Sequence, residues 1–484
     1  MIKSLKRLNK TLNKIPDRFF NVAFLIFIVI SALQYLLFKY SPSLDGPQHL
    51  YNAYVLKDLV LNRGIIPDYL AINPSPVGYW TTQLVLSFFT MVLPPWLAEK
   101  LILLIYVATF ALAYRYFCRS SEDDTNRVAL FLIFPFIFSY YILTGNYAFG
   151  FGIVLFFFCF GFWNQISSNV KVVPAIKLSI LLLLLYFTHV VIFTFFVFSF
   201  AIYYLLESVI DLHPGNNQRL SAREVGIRTL FTLAAFIPPA IPWFISTRSV
   251  ISLQASLATQ AKSAQVLLDH LFRIRPLIGF HHGIESVATI PLFLLLMLVL
   301  VTILSGSLYR LDRGIVKSRE LLFRKSNLYL VVAAAFMLLY MLNPDQFMAG
   351  NLTARAGLFF FLLLIMWIPF NRLPGLLNLL MAVVIAFTVI YNQAIMPQFY
   401  TSQNEFIKEL QELDKYMEEG ATVWPLKESD NWLHKHFQLY IGLRKHSVNL
   451  ENPQCYGPFP IIWNQDELPA MFAGDQQLKF YGTD

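Results

Sequence analysis

Charge is what this sequence has least of. Only 14% of its 484 residues are Asp, Glu, Lys or Arg, where soluble domains carry about 25%. That shortage excludes an ordinary soluble globular protein. Cysteine is also scarce: Cys118, Cys159 and Cys455 suggest no pairing, so no disulfide framework is implied. No internal repeat and no low-complexity tract is found. The net charge of +8 is no nucleic-acid signal, because Lys and Arg are distributed by topology. The C-terminal 394–484 even carries 13 acids against 7 bases.

What is abundant is apolar. Hydrophobic residues make up 57% of the chain, and Phe alone occurs 46 times. Runs near the ~20 residues that cross a bilayer recur throughout. They fall at 19–39, 97–117, 128–143, 147–165, 176–188, 190–207, 227–246, 288–309, 327–342, 355–371 and 374–393. The fold class expected is an all-α polytopic membrane protein of about eleven transmembrane helices, with a small α/β C-terminal domain. The stretch 79–94, cut short by Pro94-Pro95, reads as an interfacial helix. The run 19–39 lacks a small-residue cleavage site and is longer than a signal core, so it reads as a retained anchor.

Positive charge orients the spans. Six Lys/Arg precede the first span in 1–18, and six more fill 310–325. Both groups belong on the cytoplasmic side. This holds if 176–207 is two short helices meeting at His189 rather than one long helix. The division that follows is a basic N-terminus at 1–18, a membrane domain at 19–393 and an extracytoplasmic domain at 394–484. Two large extracytoplasmic loops fall at 41–96 and 247–287. In the tail, Ser402 opens a capping box, Phe406, Leu410, Leu413 and Met417 follow at helical spacing, and Gly420 is the expected stop. Ala421 to Leu426 reads as a strand, and 452–463 as a second strand or a loop.

The outer face gathers the candidate chemistry. Asp45 opens the first loop, where a carboxylate could serve as a base or simply cap the helix beginning at Gly46-Pro47. Gln48 to Asn62 reads as an amphipathic helix with Leu50, Tyr54 and Leu61 on one side. His49 stands one turn beyond Asp45, and Lys57 follows at its solvated side. Asn146 lies at a turn between spans, where satisfying backbone groups competes with a binding role. His189 has a structural hydrogen bond as its plain reading. His281 and His282 invite a metal reading, although adjacent side chains diverge. Arg355, at the outer end of a span, could bind phosphate or snorkel to the interface. Trp432, His434 and His436 in the tail could touch an acceptor.

The strings Asp45-Gly-Pro-Gln-His49, Thr144-Gly-Asn-Tyr-Ala-Phe-Gly150 and Asn351-Leu-Thr-Ala-Arg355 are similar to those of bacterial integral-membrane glycosyltransferases. A single anchor, a large outer loop opening with an acid, many spans and an outer tail complete a resemblance to the GT-C superfamily. Protein O-mannosyltransferases and lipid A aminoarabinose transferases belong to that superfamily. The resemblance implies an enzyme of a bacterial inner membrane that transfers a sugar, with inversion. The donor would be a polyprenyl-phosphate sugar and the acceptor a glycan, lipid or protein, with membrane lipids around the chain and no nucleic acid. It implies Asp45, assisted by His49, as general base and Arg355 with Lys57 as donor-phosphate ligands. Gly46 stands where some relatives have a second acid, so the cofactor stays open: Mg or Mn fits the chemistry but is not required by the sequence. Rival classes are a flippase or transporter of lipid-linked saccharides, an O-antigen ligase or polymerase, and an inactive scaffold of the same fold. The near absence of charge within the spans speaks against transport.

Overall fold

The computed structural model describes residues 16–121, 123–214, 219–254, 261–314, 324–346, 351–425 and 429–464. The basic residues ahead of Pro16, the middle of the 310–325 cluster and the tail beyond Asn464 lie outside the described residues. The fold is all-α, with sheet confined to a few short strands.

Eight helices among the described residues are long and apolar enough to cross a membrane. They are α1 (Asp17–Leu37), α4 (Pro95–Ser120), α5 (Tyr147–Ile166), α7 (Val190–Leu212), α8 (Ala222–Gln254), α9 (His282–Asp312), α11 (Leu352–Trp367) and α12 (Gly375–Glu412). Between them run α2 (Gly46–Leu61), α3 (Trp80–Val92), α6 (Val172–Thr188) and α10 (Leu328–Met341). Eight of the eleven apolar runs thus fall on helices of spanning length, and the other three on shorter ones. The run 128–143 is a 3-10 helix, Ala129–Phe136, followed by one α-turn, Tyr140–Leu143. Pro135 inside it removes a backbone donor, and the whole 3-10 stretch is buried among neighbours. The run 176–207 is broken, as expected, at Thr188-His189.

A cluster of charges joins four elements at one end of the bundle. Glu207 and Asp211 on α7 are buried. Lys325 lies 3.0 Å from Glu207 and 3.1 Å from Asp211, Arg228 of α8 lies 2.5 Å from Asp211, and Trp163 of α5 donates to Glu207 at 3.0 Å. Each buried carboxylate is therefore met by a cation, the arrangement a low-dielectric interior requires. His189 begins α7 eighteen residues earlier, or about 27 Å along the axis, so the Asp45 region and this cluster occupy opposite ends.

The sequence reading of the tail needs correction. Ser402 starts no helix, because α12 runs unbroken from Gly375 through Pro397 to Glu412. Asn404, on its buried side, accepts from the Tyr40 amide at 2.8 Å and donates to the Tyr40 carbonyl at 3.2 Å. That clamp on the first loop rewards continuing the helix over stopping it. Gly420 follows with φ +74°, a left-handed conformation suited to glycine. Within the described part of the expected strand, 421–425, Thr422–Val423 (β2) forms, parallel to Val448–Asn449 (β3). Ile461–Trp463 (β4) pairs antiparallel with Leu70–Ile72 (β1) of the first loop, with Leu70 opposite Trp463.

First loop and tail are thus stitched together, which also corrects the reading of α2. It is buried on every side from Gly46 to Asp58 rather than amphipathic. The tail covers its polar side: Asn52 donates to Gln454 at 2.5 Å and accepts from Asn452 at 2.6 Å, and the Asn449 amide donates to Tyr51 at 2.7 Å. Lys57 is accordingly buried, 3.7 Å from Asp58 and 4.0 Å over the Tyr54 ring, not solvated.

Candidate active site

Two glycines bring the first two sequence strings into contact. Asp45 sits at the head of α2 with φ −100° and ψ −12°, and its amide donates to the Thr144 carbonyl at 2.8 Å. Gly145 follows with φ +91°, and a Cβ there would collide with the Gly46 amide. A Cβ at Gly46 would collide in turn with Ser43 Oγ and lie 2.5 Å from the Tyr147 hydroxyl and 2.9 Å from Glu99 Oε1. No larger residue fits either position without moving the loop that carries Asp45.

The Asp45 carboxylate makes no capping hydrogen bond. The helix head has Pro47 near its start, so one of the donors a cap would satisfy does not exist. The plain alternative for Asp45, a helix cap, is therefore not how its side chain is used. Together with His49, Asn146 and Arg355 it lines a cavity of about 480 Å³, within the range of small-ligand sites. Burial pushes the Asp45 carboxyl up to about 6, while Lys435 on the facing tail pulls it the other way. Burial pulls His49 down to about 4, so its imidazole is neutral at ordinary pH.

Arg355 arrives from the opposite wall in the first turn of α11. Its guanidinium lies 5.5 Å from the ring centres of both Tyr141 and Phe149, a cation–π cradle. Among the described residues no carboxylate pairs with it, and its buried Nε has no hydrogen-bond partner. The described residues on either side of 347–350 are pinned. Asp345 accepts from the Thr353 amide at 2.9 Å and from Lys262 at 2.8 Å, and Thr353 donates to Asn343 at 3.1 Å. The Tyr141 hydroxyl donates to the Asn351 carbonyl at 3.3 Å. The third sequence string thus meets the second through Phe149, with Tyr141 just ahead of that string.

The other expected residues divide. Asn146 does both things asked of it, lining the cavity and accepting from the Phe149 amide at 3.3 Å as the cap of α5. His189 caps α7, its Nδ1 accepting from the Ile192 amide at 3.4 Å. It is fully buried behind Tyr79, ring centres 5.0 Å apart, and is not a lining residue. Lys57 is not at the cavity either. His281 caps α9, with its Nδ1 accepting from the Ile284 amide at 3.2 Å, and His282 lies 4.0 Å from Asp269. Both are exposed and away from the cavity. Among the described residues no group of three or more His, Cys, Asp or Glu is placed to hold a metal ion.

The tail forms the facing wall, through His436, Gln438, Glu451, Gln454 and Phe459. Of the three tail residues expected to touch an acceptor, His436 lines the cavity. Trp432 does not, and His434 is taken up by Gln403 at 2.6 Å. Phe459 lies 5.0 Å from Tyr79 across the rim. Sequence reading also missed Glu99. This acid in the second turn of α4 is fully buried; its Oε1 accepts from the Tyr147 hydroxyl at 2.6 Å, and its Oε2 has no partner. Glu99 Oε1 lies 2.9 Å from where a Cβ at position 46 would stand, but Glu99 is not among the residues that line the cavity. An isolated carboxylate inside an apolar run is the signal that could have found it. Compared with protein-family models, with curated proteins and with solved structures, the chain matches none.

Proposed function

We propose that this protein is a GT-C-type membrane glycosyltransferase. In this reading the eight long helices and the shorter 128–143, 176–188 and 327–342 make eleven spans. The N-terminus lies in the cytoplasm and 394–484 outside. The observation that carries the reading is a carboxylate free of capping duty and a guanidinium with no carboxylate counter-ion among the described residues, both lining one cavity. A buried cation normally brings its own anion; Arg355 leaves room for one from a ligand.

The acceptor hydroxyl attacks the anomeric carbon of the donor. As the new C–O bond forms and the bond to phosphate oxygen breaks, Asp45 takes the hydroxyl proton and the lipid phosphate leaves as an anion. Arg355 meets that anion, its planar fork suited to phosphate oxygens. His49 is neutral and one turn from Asp45, so it orients rather than competes for the proton. Lys57 drops out as a phosphate ligand because its charge is committed to Asp58. The acceptor lies against the tail wall, whose amides and carboxylate suit hydroxyl groups. The Tyr79–Phe459 pair offers an apolar rim.

The test is transfer from radiolabelled polyprenyl-phosphate sugars in membranes of source cells lacking the gene and complemented with wild type or Asp45→Asn. Label transfer with wild type that is lost with a folded Asp45→Asn protein is the expected result. Transfer unaffected by the substitution removes Asp45 as the base. No transfer from any monophosphate donor overturns the donor class and favours a diphosphate-donor ligase.

A further inference from the structure

We infer that a second cleft, at the end of the bundle away from Asp45, binds an anionic membrane lipid. It encloses about 1000 Å³ between α7, α9, α10 and the end of α11, at the upper limit for ligand sites and far beyond a packing gap. Trp367, one of its lining residues, is twelve residues from Arg355 along α11, or about 18 Å. The cleft is therefore separate from the Asp45 cavity, and the inference does not rest on the glycosyltransferase reading.

Two features specify the occupant. The walls are apolar and open sideways: Val209, Leu304 and Val331 line the cleft and are 64%, 41% and 47% exposed. They lie on helices of the membrane bundle, where the surrounding medium is acyl chain. Among the described residues the mouth carries three arginines against two carboxylates. Arg324 and Arg372 are matched by Asp123 at 3.3 Å and Asp124 at 3.2 Å. Arg310, in the last turn of α9, pairs with no carboxylate among the described residues. A net cation above an apolar slot fits an anionic headgroup with its chain below. A zwitterionic lipid would bring a cation of its own to Arg310, and inorganic phosphate would leave the apolar walls unused. Basic pockets between membrane helices bind anionic lipid headgroups for this reason.

Gly306 supplies a clean obstruction. It lines the cleft, and a Cβ there would meet nothing within 4 Å, so Gly306→Phe fills the slot without an immediate clash. Helix propensity favours the change as well. The measurement is the melting temperature of the full chain in detergent against added phosphatidylglycerol, with phosphatidylcholine of the same chains and inorganic phosphate as further arms. Phosphatidylglycerol is expected to raise it well above the effect of phosphatidylcholine, with no shift from phosphate. Arg310→Gln should raise the half-effective phosphatidylglycerol concentration about fivefold, and Gly306→Phe should abolish the shift. No shift with wild type, equal shifts from both lipids, or an undiminished shift in Gly306→Phe overturns the proposal. A shift reproduced by phosphate alone overturns the lipid assignment in favour of an ion site. Should Gly306→Phe not fold, Arg310→Gln and the contrast between the lipids decide.

Discussion

The Asp45 cavity and the Glu207–Asp211 cluster treat charge in opposite ways. At the far end, Glu207 and Asp211 are both met by Lys325, and Asp211 also by Arg228, within 3.1 Å. In and beside the cavity, Asp45 makes no capping bond, Arg355 has aromatic faces but no carboxylate among the described residues, and Glu99 keeps one oxygen without a partner. Neutralised charge costs least and holds helices together. Charge left without full neutralisation in a cavity marks a candidate binding or catalytic site. The contrast points to the Asp45 cavity as a candidate site without reference to any relative.

Substitutions should separate the two ends, and the largest effect is expected at Asp45. Loss of a general base lowers rates by about 10²–10⁴-fold, so Asp45→Asn should remove transfer of radiolabelled sugar to that degree. Its expression and circular dichroism should match wild type, since the carboxylate holds no cap. Next comes Arg228→Ala at the far end. Removing one partner of a buried ion pair costs about 3–5 kcal/mol, read as a fall in melting temperature in detergent. Donor binding by the fraction that remains folded should be unchanged. If Arg228→Ala abolished transfer in folded protein, the division of labour between the ends would fail.

Arg355 comes third. Arg355→Gln should weaken binding of a polyprenyl phosphate, measured by tryptophan fluorescence titration, by about 10- to 100-fold, the range of a charge-assisted hydrogen bond. Arg355→Lys should recover little of it. An ammonium between Tyr141 and Phe149 keeps charge but loses the flat fork that both rings and phosphate favour. Full rescue by lysine would reduce Arg355 to a simple counter-charge.

Some of this was legible in the sequence and some was not. The apolar runs marked the helices because spanning length and hydropathy are local properties. The three strings containing Asp45, Asn146 and Arg355 stood out by resemblance, and residues from all three line one cavity. What pairing decides was not legible. Lys57 looked solvated only while Asp58 and the tail were out of view. The Ser402 capping box was real as a pattern but idle, since Asn404 and Tyr40 hold the helix together across 364 residues of sequence. The β1–β4 pairing joins Leu70 to Trp463, a contact too distant for any periodicity to announce. Glu99 comes beside Gly46 and Tyr147 only in three dimensions.

The smallest expected effect is also the most discriminating. Asp45 has its carboxyl pushed up to about 6 by burial, so the ionised form costs free energy in the folded state. The penalty is absent below the ordinary carboxylate range, grows as pH rises towards about 6, and is constant above it. Asp45→Asn should therefore be more stable than wild type by about 1–2 kcal/mol at pH 7–8 and equal to it near pH 3.5. That range is discounted from the full shift because the group is partly exposed. Over the same range kcat/KM of wild type should rise with pH and level off above about 6, as the base loses its proton. A limb near 6 is usually assigned to histidine, but burial holds His49 down at about 4. His49→Gln should then keep the limb while lowering the plateau, whereas Asp45→Glu should displace it. A limb that vanished with His49→Gln would transfer the role of base from the carboxylate to the imidazole.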